Sequence, residues 1–392
     1  MLVTVTNTPQ DYAWGSTTLI ADLEHRVPSG RPEAEVWFGD HPGSPSHVTD
    51  GRTLGAWLAE DAAGTGAPEH LPYLMKLLAA ASSLSIQVHP SREEAVEAFA
   101  TEDAAGIPRD APERTYRDRN HKPELIVALS ETFTALAGVR ELDATRRLLA
   151  LLGDGGAAVA ERLSGRDAAA AVRDTVEWLL AGDSTAAIAG IVAAAQDAAS
   201  EKFSAELDLV RRLAADFPGD RGIGVALLMN LVVLRRGEGL FVPAGVLHAY
   251  QSGLGVEIMA ASDNVLRGGL TPKHIDVAEL IRVLDPTPGP APVLRPHERD
   301  GVRRFAPDVP DFALTRVAVA PGEEVAVGLD GTAIALATGG EVVVDGAKSR
   351  AGERMTPGQA VVVTPDEQRM VITGEGELYI AQPGARHADG AS

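Results

Sequence analysis

The chain has 392 residues, with 35 lysines and arginines against 55 aspartates and glutamates, so its formal charge is −20. Proteins that bind nucleic acid or an anionic membrane present a basic surface, so we expect neither of these partners. Cysteine is absent, which excludes disulfides, thiolate catalysis and cysteine-ligated metals. The 45% of hydrophobic residues suffice for one large or two to three ordinary domains.

Neither a signal peptide nor a membrane span is predicted. Residues 1–15 contain no basic region followed by an apolar one. The longest apolar stretches, 186–195 and 224–234, are shorter than the roughly 18 residues that a membrane helix needs. We therefore expect a soluble, cytoplasmic protein, and we expect a monomer.

The N-terminal third of the chain has the pattern of short strands and loops. Alternating or β-branched runs at 2–6, 35–39 and 84–88 predict strands. A helix is predicted directly after Pro90, because Ser91 and Glu94 form a capping-box motif.

Residues 141–221 differ in composition and predict three to five helices, because apolar residues recur there at spacings of three and four. From about residue 222 the β pattern returns, with one further helix predicted over 271–284. Residues 286–296 have the composition of a linker. After residue 300 the turn signals recur every 8–12 residues, which is typical of a sandwich or jelly roll.

Three motifs offer metal-binding side chains on predicted β-structure. Gln87 and His89 are two residues apart on a strand and therefore face the same side. Lys122 and Glu124 are related in the same way, since Pro123 keeps Lys122 out of helical geometry. A Pro-Gly turn leads to His248, which is typical of metal-binding barrels of the cupin type. Zinc accepts this donor set, and so do manganese and iron.

Each motif taken alone is also typical of ordinary structure. A Gln-x-His pair is commonly a hydrogen-bonded strand face, His-Lys-Pro-Glu can be a solvated loop with an ion pair, and His248 can be a core histidine. A fourth segment, 257–273, carries Glu257, Asp263, Arg267 and Lys273. Its cations can hold an anionic group or stabilise a developing oxyanion, although charges in loops usually form surface ion pairs.

These motifs, in this order and spacing, resemble the type I mannose-6-phosphate isomerase family. The resemblance is carried by five segments that cover most of residues 10–280: YAWGS at 12–16, PEAEVWFGDHPGSPS at 32–46, LPYLMKLLAAASSLSIQVHPS at 71–91, YRDRNHKPEL at 116–125, and the run at 237–276 that contains LHAY and SDNVLRGG. It implies a zinc-dependent aldose–ketose isomerase that interconverts mannose 6-phosphate and fructose 6-phosphate through an enediolate, with one Zn²⁺ per chain.

The resemblance also implies roles for individual residues. The metal ligands would be Gln87, His89, Glu124 and His248. Arg267 would stabilise the developing oxyanion, and Lys122, Glu257 and Asp263 are the candidates for proton transfer. Trp14, Lys76, Ser85 and Lys273 are candidates for holding the sugar or its phosphate, less directly supported by the resemblance.

The implied fold is mainly β. We expect a cupin-type jelly-roll catalytic domain over 1–140 plus 222–285, a helical insert over 141–221, and a second jelly-roll-like domain, a β-sandwich, over 286–392. Two other functions fit this pattern less well. An iron-dependent cupin oxygenase usually has a face of two histidines and one carboxylate, so a fourth protein ligand, Gln87, argues against it. A non-catalytic sugar-binding protein is disfavoured by the intact ligand set and Arg267.

Overall fold

The computed structural model describes residues 1–349 and 351–384. Its strands are β1 Leu2–Thr6, β2 Glu35–Phe38, β3 His47–Val48, β4 Tyr73–Ala80, β5 Gln87–Val88, β6 Glu124–Ala128, β7 Thr132–Val139, β8 Met229–Arg235, β9 Gly239–Val242, β10 His248–Ala260, β11 Leu266–Arg267, β12 Val293–Leu294, β13 Val302–Phe305, β14 Ala313–Val319, β15 Glu324–Gly328, β16 Ala333–Gly346, β17 Glu353–Met355, β18 Ala360–Val363 and β19 Arg369–Gln382. Its helices are α1 Leu19–Leu23, α2 Leu54–Glu60, α3 Arg92–Ala104, α4 Leu142–Leu151, α5 Asp154–Arg162, α6 Ala168–Ala181, α7 Thr185–Asp197, α8 Ser204–Asp216, α9 Gly222–Leu228 and α10 Val277–Val283.

The strands form two antiparallel sheets, which confirms the predicted mainly β fold. The first sheet has ten strands arranged around β10, which pairs with β4, β5, β6 and β7. The second sheet has nine strands, in which β19 pairs with β14, β15 and β16. In each sheet a short strand and a proline-containing turn precede the long central strand.

Two strands differ from the sequence-based expectation, one in the sheet that it joins and the other in forming a strand where a linker was expected. The N-terminal strand β1 pairs with β18, so it belongs to the second sheet. The predicted linker contributes β12, which pairs with β9 at the edge of the first sheet. The domain boundaries expected from the sequence stay a prediction.

The helical region is inserted between β7 and β8, as predicted. Its last helix, α9, occupies residues for which a strand was predicted. All seven residues of α9 are buried. Because no polar residue interrupts this apolar run, its sequence shows no helical periodicity. The capping box at the start of α3 is present, with hydrogen bonds in both directions between Ser91 and Glu94. The predicted helix over 271–284 is shorter, because it begins only after its N-cap, Asp276.

No single helix in the described part of the chain is long and apolar enough to cross a membrane. The pair α6 and α7 passes that test together by length and composition, but the two helices are bent by 99° at the break between them.

The two sheets share a hydrophobic core. One continuous cluster of buried side chains includes Val36, Met75 and Val256 of the first sheet together with Leu314 and Tyr379 of the second. The hydroxyl of buried Tyr73, on β4, donates to the carbonyl oxygens of Thr332 and Ala381 at 2.8 and 3.2 Å. The second sheet is thereby held against the first by apolar burial and by directed hydrogen bonds.

Candidate metal centre and active site

Three neighbouring strands bring predicted site residues into one row. Gln87 on β5 lies directly opposite His248 on β10 on one side and opposite Arg267 on β11 on the other. Directly opposed residues of antiparallel strands have their Cβ atoms about 4.5–5.5 Å apart. The sheet register therefore sets Arg267 next to the candidate metal-binding side chains, although the sequence separates them by many residues.

His89 and His248 converge on the carboxylate of Glu124. Glu124 Oε1 lies 3.1 Å from His89 Nε2, and Glu124 Oε2 lies 3.2 Å from His248 Nε2. All three residues are buried, and one ligand atom from each lies within 4.8 Å of the others. Nitrogen and carboxylate donors that meet in this way are the usual ligands of a divalent metal.

Backbone carbonyls orient both imidazoles. His89 Nδ1 lies 2.9 Å from the carbonyl oxygen of Asn264, and His248 Nδ1 lies 3.2 Å from that of Val246. Because a carbonyl oxygen can only accept, each Nδ1 carries a proton, so in the neutral form of either ring the lone pair is on Nε2, the nitrogen that faces Glu124. This is the arrangement that metal-bound histidines adopt.

A glycine turn ties the two histidine strands together. Gly245 has a φ of +80°, in the left-handed region that glycine adopts without strain. Its N–H donates to the carbonyl oxygen of His89 at 2.9 Å. The turn that precedes His248 is thus fastened to the strand end that carries His89.

The donor set fits a divalent metal. Within residues 1–349 and 351–384, nothing makes a hydrogen bond to the buried His89 Nε2, and burial lowers the pKa of His89 to about 4, so the ring is neutral at pH 7. Burial raises the pKa of Glu124, but the neighbouring Lys122 opposes it, and the pKa of Glu124 lies well below its usual range. Gln87 donates its amide N–H to Ser85 Oγ at 3.1 Å, which leaves its carbonyl oxygen available.

A second row of opposed residues crosses β2, β4 and β10. Lys76 lies opposite Trp37 and Glu257. Its ammonium lies 3.3 Å from Glu257 Oε2, 3.6 Å from Glu35 Oε1 and 4.8 Å from the centre of the Trp37 ring. Burial lowers the pKa of Lys76, but the two carboxylates outweigh it and raise the pKa above its ordinary value. Lys76 is therefore a buried cation, not a chain reaching the surface.

Replacing Lys76 by methionine is expected to destabilise the protein by about 3 kcal/mol at pH 7, because two buried carboxylates lose their cation. Because its pKa is raised, Lys76 stays charged throughout pH 5–9, so any pH dependence of its contribution in this range comes from its carboxylate partners. The pKa of Glu257 is raised, chiefly by burial. Its protonation should therefore make the loss smaller near pH 5, as measured by urea unfolding at both pH values. Equal losses at pH 5 and pH 7 would contradict this explanation.

Lys348→Met is the matched control for that experiment. Lys348 is 62% exposed and lies 3.6 Å from Asp366. A surface pair of this kind contributes at most about 1 kcal/mol, so its loss should change unfolding little at either pH.

Two adjoining cavities contain most of the predicted residues. A small cavity of about 90 Å³ is lined by Lys76, Ser85, Gln87, Lys122, Glu124, His248 and Glu257. A wide cleft of about 700 Å³ is lined by Trp14, Ser85, Gln87, Arg267 and Lys273, and also by Asp216 and Phe217 at the end of α8. Both are bordered by Ser85 and Gln87, so the cleft leads to the candidate metal centre.

Asp263 is separated from this group. It lines neither cavity, and its carboxylate Oδ1 lies 3.2 Å from His41 Nε2. The hydrogen bond with His41 holds the pKa of Asp263 below its usual range. Lys122, by contrast, lies 3.0 Å from Glu124 Oε1 inside the small cavity.

Three further residues of the site received no predicted role. Glu35 borders both cavities, and the indole N–H of Trp37 donates to its Oε2 at 2.6 Å. Buried Tyr250 lines the small cavity. Its position two residues after His248 on the same strand is the signal that could have identified it. Asn264 acts through its backbone carbonyl, for which the sequence carries no signal.

The chain is similar to known isomerases over almost its whole length. A family model described as phosphomannose isomerase type I, catalytic domain, matches residues 2–142. The mannose-6-phosphate isomerase of Salmonella typhimurium is 36% identical over 394 residues, which cover 95% of this chain and 97% of the relative. That of Homo sapiens is 31% identical, and the match covers 85% and 86% of the two chains.

Solved structures of such isomerases are similar to this chain in fold as well as in sequence. A zinc-bound mannose 6-phosphate isomerase has a TM-score of 0.88 and 33% identity, covering 98% of this chain and all of that one. The Salmonella typhimurium enzyme bound to its substrate fructose 6-phosphate and to zinc has a TM-score of 0.88 and 34% identity, with the same coverage. The resemblance predicted from the motifs is thereby confirmed, and the chain belongs to the type I phosphomannose isomerase family.

Proposed function

We propose that this protein is a zinc-dependent isomerase that interconverts mannose 6-phosphate and fructose 6-phosphate. The observation that carries the proposal is the convergence of Gln87, His89, Glu124 and His248 beside a cleft that contains Arg267. Nearly complete coverage of mannose-6-phosphate isomerases supports the same activity.

Gln87, His89, Glu124 and His248 would hold one zinc ion. When bound, zinc supplies a Lewis acid that stabilises negative charge on a substrate oxygen. Arg267 lies one strand beyond Gln87 and would add a cation at the same oxygen. Burial and the neighbouring Arg117 lower the pKa of Arg267.

The proton-transfer groups favoured by the geometry are Lys122 and Glu257, because both line the small cavity. One of them removes the C2 proton of the open-chain sugar, and the electron pair of that C–H bond forms the C1=C2 double bond of an enediolate while the C1 carbonyl becomes an oxyanion. A proton then returns at C1 as the C2 hydroxyl loses its proton to become the C2 carbonyl, and O1 is protonated to a hydroxyl. Burial raises the pKa of Glu257, which brings this carboxylate closer to the pH at which a general base works best. Asp263 is less favoured, since it lies outside both cavities and contacts His41.

The substrate phosphate would bind in the wide cleft. Lys273 and Arg267 supply positive charge there, and Ser85 and Trp14 form the adjoining walls. Burial and then Arg267 lower the pKa of Lys273, as expected of cations that lie close together. A local pair of cations lets a chain of charge −20 bind an anion.

The alternatives are less well supported. An iron oxygenase needs open positions on the metal, and Gln87 adds a fourth protein donor at the centre. A sugar-binding protein without activity would not need Lys122 and Glu257 buried beside the metal ligands. We also propose that the protein is a monomer and is located in the cytoplasm. Size-exclusion chromatography tests the monomeric state.

The proposed activity is tested by following mannose 6-phosphate by NMR with purified protein. Formation of fructose 6-phosphate is expected. Mannose without the phosphate should react with a kcat/KM lower by at least about 100-fold, because binding of the remote phosphate contributes to the rate. Absence of any isomerisation would contradict the proposal, and equal rates with both sugars would contradict the phosphate site.

A further inference from the structure

The segment that carries Lys122 and Glu124 touches the second sheet through a buried carboxylate. Asp311, just before β14, is 5% exposed. Its Oδ2 lies 2.7 Å from His121 Nε2, and its Oδ1 accepts from Arg92 Nη2 at 3.1 Å. Since both oxygens have nitrogen partners, this carboxylate is satisfied although it is buried.

The direction of the neighbouring side chains connects this contact to the active site. Pro123 keeps Lys122 extended, and successive side chains of an extended segment point to opposite sides. Accordingly, His121 points toward Asp311, whereas Lys122 points into the small cavity and lies 3.0 Å from Glu124. The contact with Asp311 therefore holds the segment on the side opposite the small cavity.

The first sheet supplies the other attachments of this segment. Asn264 Nδ2 donates to the carbonyl oxygen of Asn120 at 2.8 Å. The N–H of Ala260 donates to the carbonyl oxygen of Pro123 at 3.1 Å. Between these two points, His121 is attached to the second sheet, so the position of Lys122 depends on both sheets.

We propose that Asp311 is a positioning residue for the isomerisation, acting through His121 on Lys122. The second β-sheet then helps to set the position of Lys122 in the active site. This inference rests on the proposed function, because the group that Asp311 positions is one of its proton-transfer candidates.

The test measures kcat, KM and zinc content for Asp311→Ala and, separately, His121→Ala. Each is expected to lower kcat by at least about tenfold, because small displacements of a reacting group are costly. KM should stay within about threefold and zinc content should be unchanged, because neither residue contacts the phosphate cleft or the ligands. Asp311→Asn should recover part of the lost kcat, since its amide oxygen can still accept from His121, whereas its amide nitrogen cannot accept from Arg92.

Combining the two alanine substitutions separates positioning from independent roles. The double variant should have the kcat of Asp311→Ala, because that change already breaks the contact with His121 that His121→Ala removes. Additive losses would contradict the proposal. An unchanged kcat in both single variants, with only a lower melting temperature, would also contradict it.

Asp330→Ala is the matched control, since Asp330 belongs to the second sheet's surface and forms an exposed pair with Arg304 at 3.1 Å. It should leave kcat and KM unchanged. The wild-type protein is assayed first: absence of isomerisation there contradicts the proposed function. Wild-type turnover with unaffected Asp311 and His121 variants contradicts only the positioning role.

Discussion

Arg267→Ala is expected to lower kcat by about 10²–10³-fold while zinc content stays the same. The guanidinium lies in the cleft, one strand from the proposed metal ligand Gln87, where negative charge would develop on the substrate. Removing one such oxyanion-stabilising group typically costs about 3–4 kcal/mol. The measurement is steady-state kinetics together with elemental analysis of the purified variant.

Arg299→Ala provides the control for that experiment, because Arg299 is 93% exposed. Its kcat should equal that of the wild type. An Arg267→Ala variant with normal kcat would contradict the role of Arg267. Loss of zinc together with activity would instead show that Arg267 supports the metal centre.

Glu124→Gln is expected to weaken zinc binding by more than about 100-fold and to abolish measurable turnover at ambient zinc. The substitution keeps the size of the side chain but removes the charge on which both histidines and Lys122 converge. Even residues that only orient metal ligands change affinity by about 10–100-fold, and a ligand should contribute more. Zinc affinity is measured by competition with a chelating dye.

Glu341→Gln is the comparison for Glu124→Gln, since Glu341 is an exposed residue of the second sheet paired with Arg354. It should bind zinc as the wild type does. Full zinc occupancy in Glu124→Gln would mean that the metal centre lies elsewhere in the protein.

The main features of the fold could be predicted from the sequence, because periodicity distinguishes the helical insert from the β-rich flanks. The capping box at Ser91 marked the start of α3 to the residue. Helix α9 was missed because burial on every side removes the helical pattern. The placement of β1 in the second sheet was missed because strand pairing across the whole chain length has no local signal.

The candidate metal-binding residues could be proposed from the sequence because their local spacing already sets which side chains share a face. Gln87 with His89, and Lys122 with Glu124, are pairs of this kind. Residues that act across the fold gave no such signal. The attachment of His121 to Asp311 and the orientation of His89 by the carbonyl oxygen of Asn264 depend on long-range packing, which only the structure contains.

The most direct test of the central claim is a coupled assay of purified protein with mannose 6-phosphate before and after chelation, with zinc content measured in parallel. We expect turnover that chelation abolishes and added zinc restores, at about one zinc per chain. Turnover that survives complete removal of the metal would contradict the proposed metal centre at Gln87, His89, Glu124 and His248.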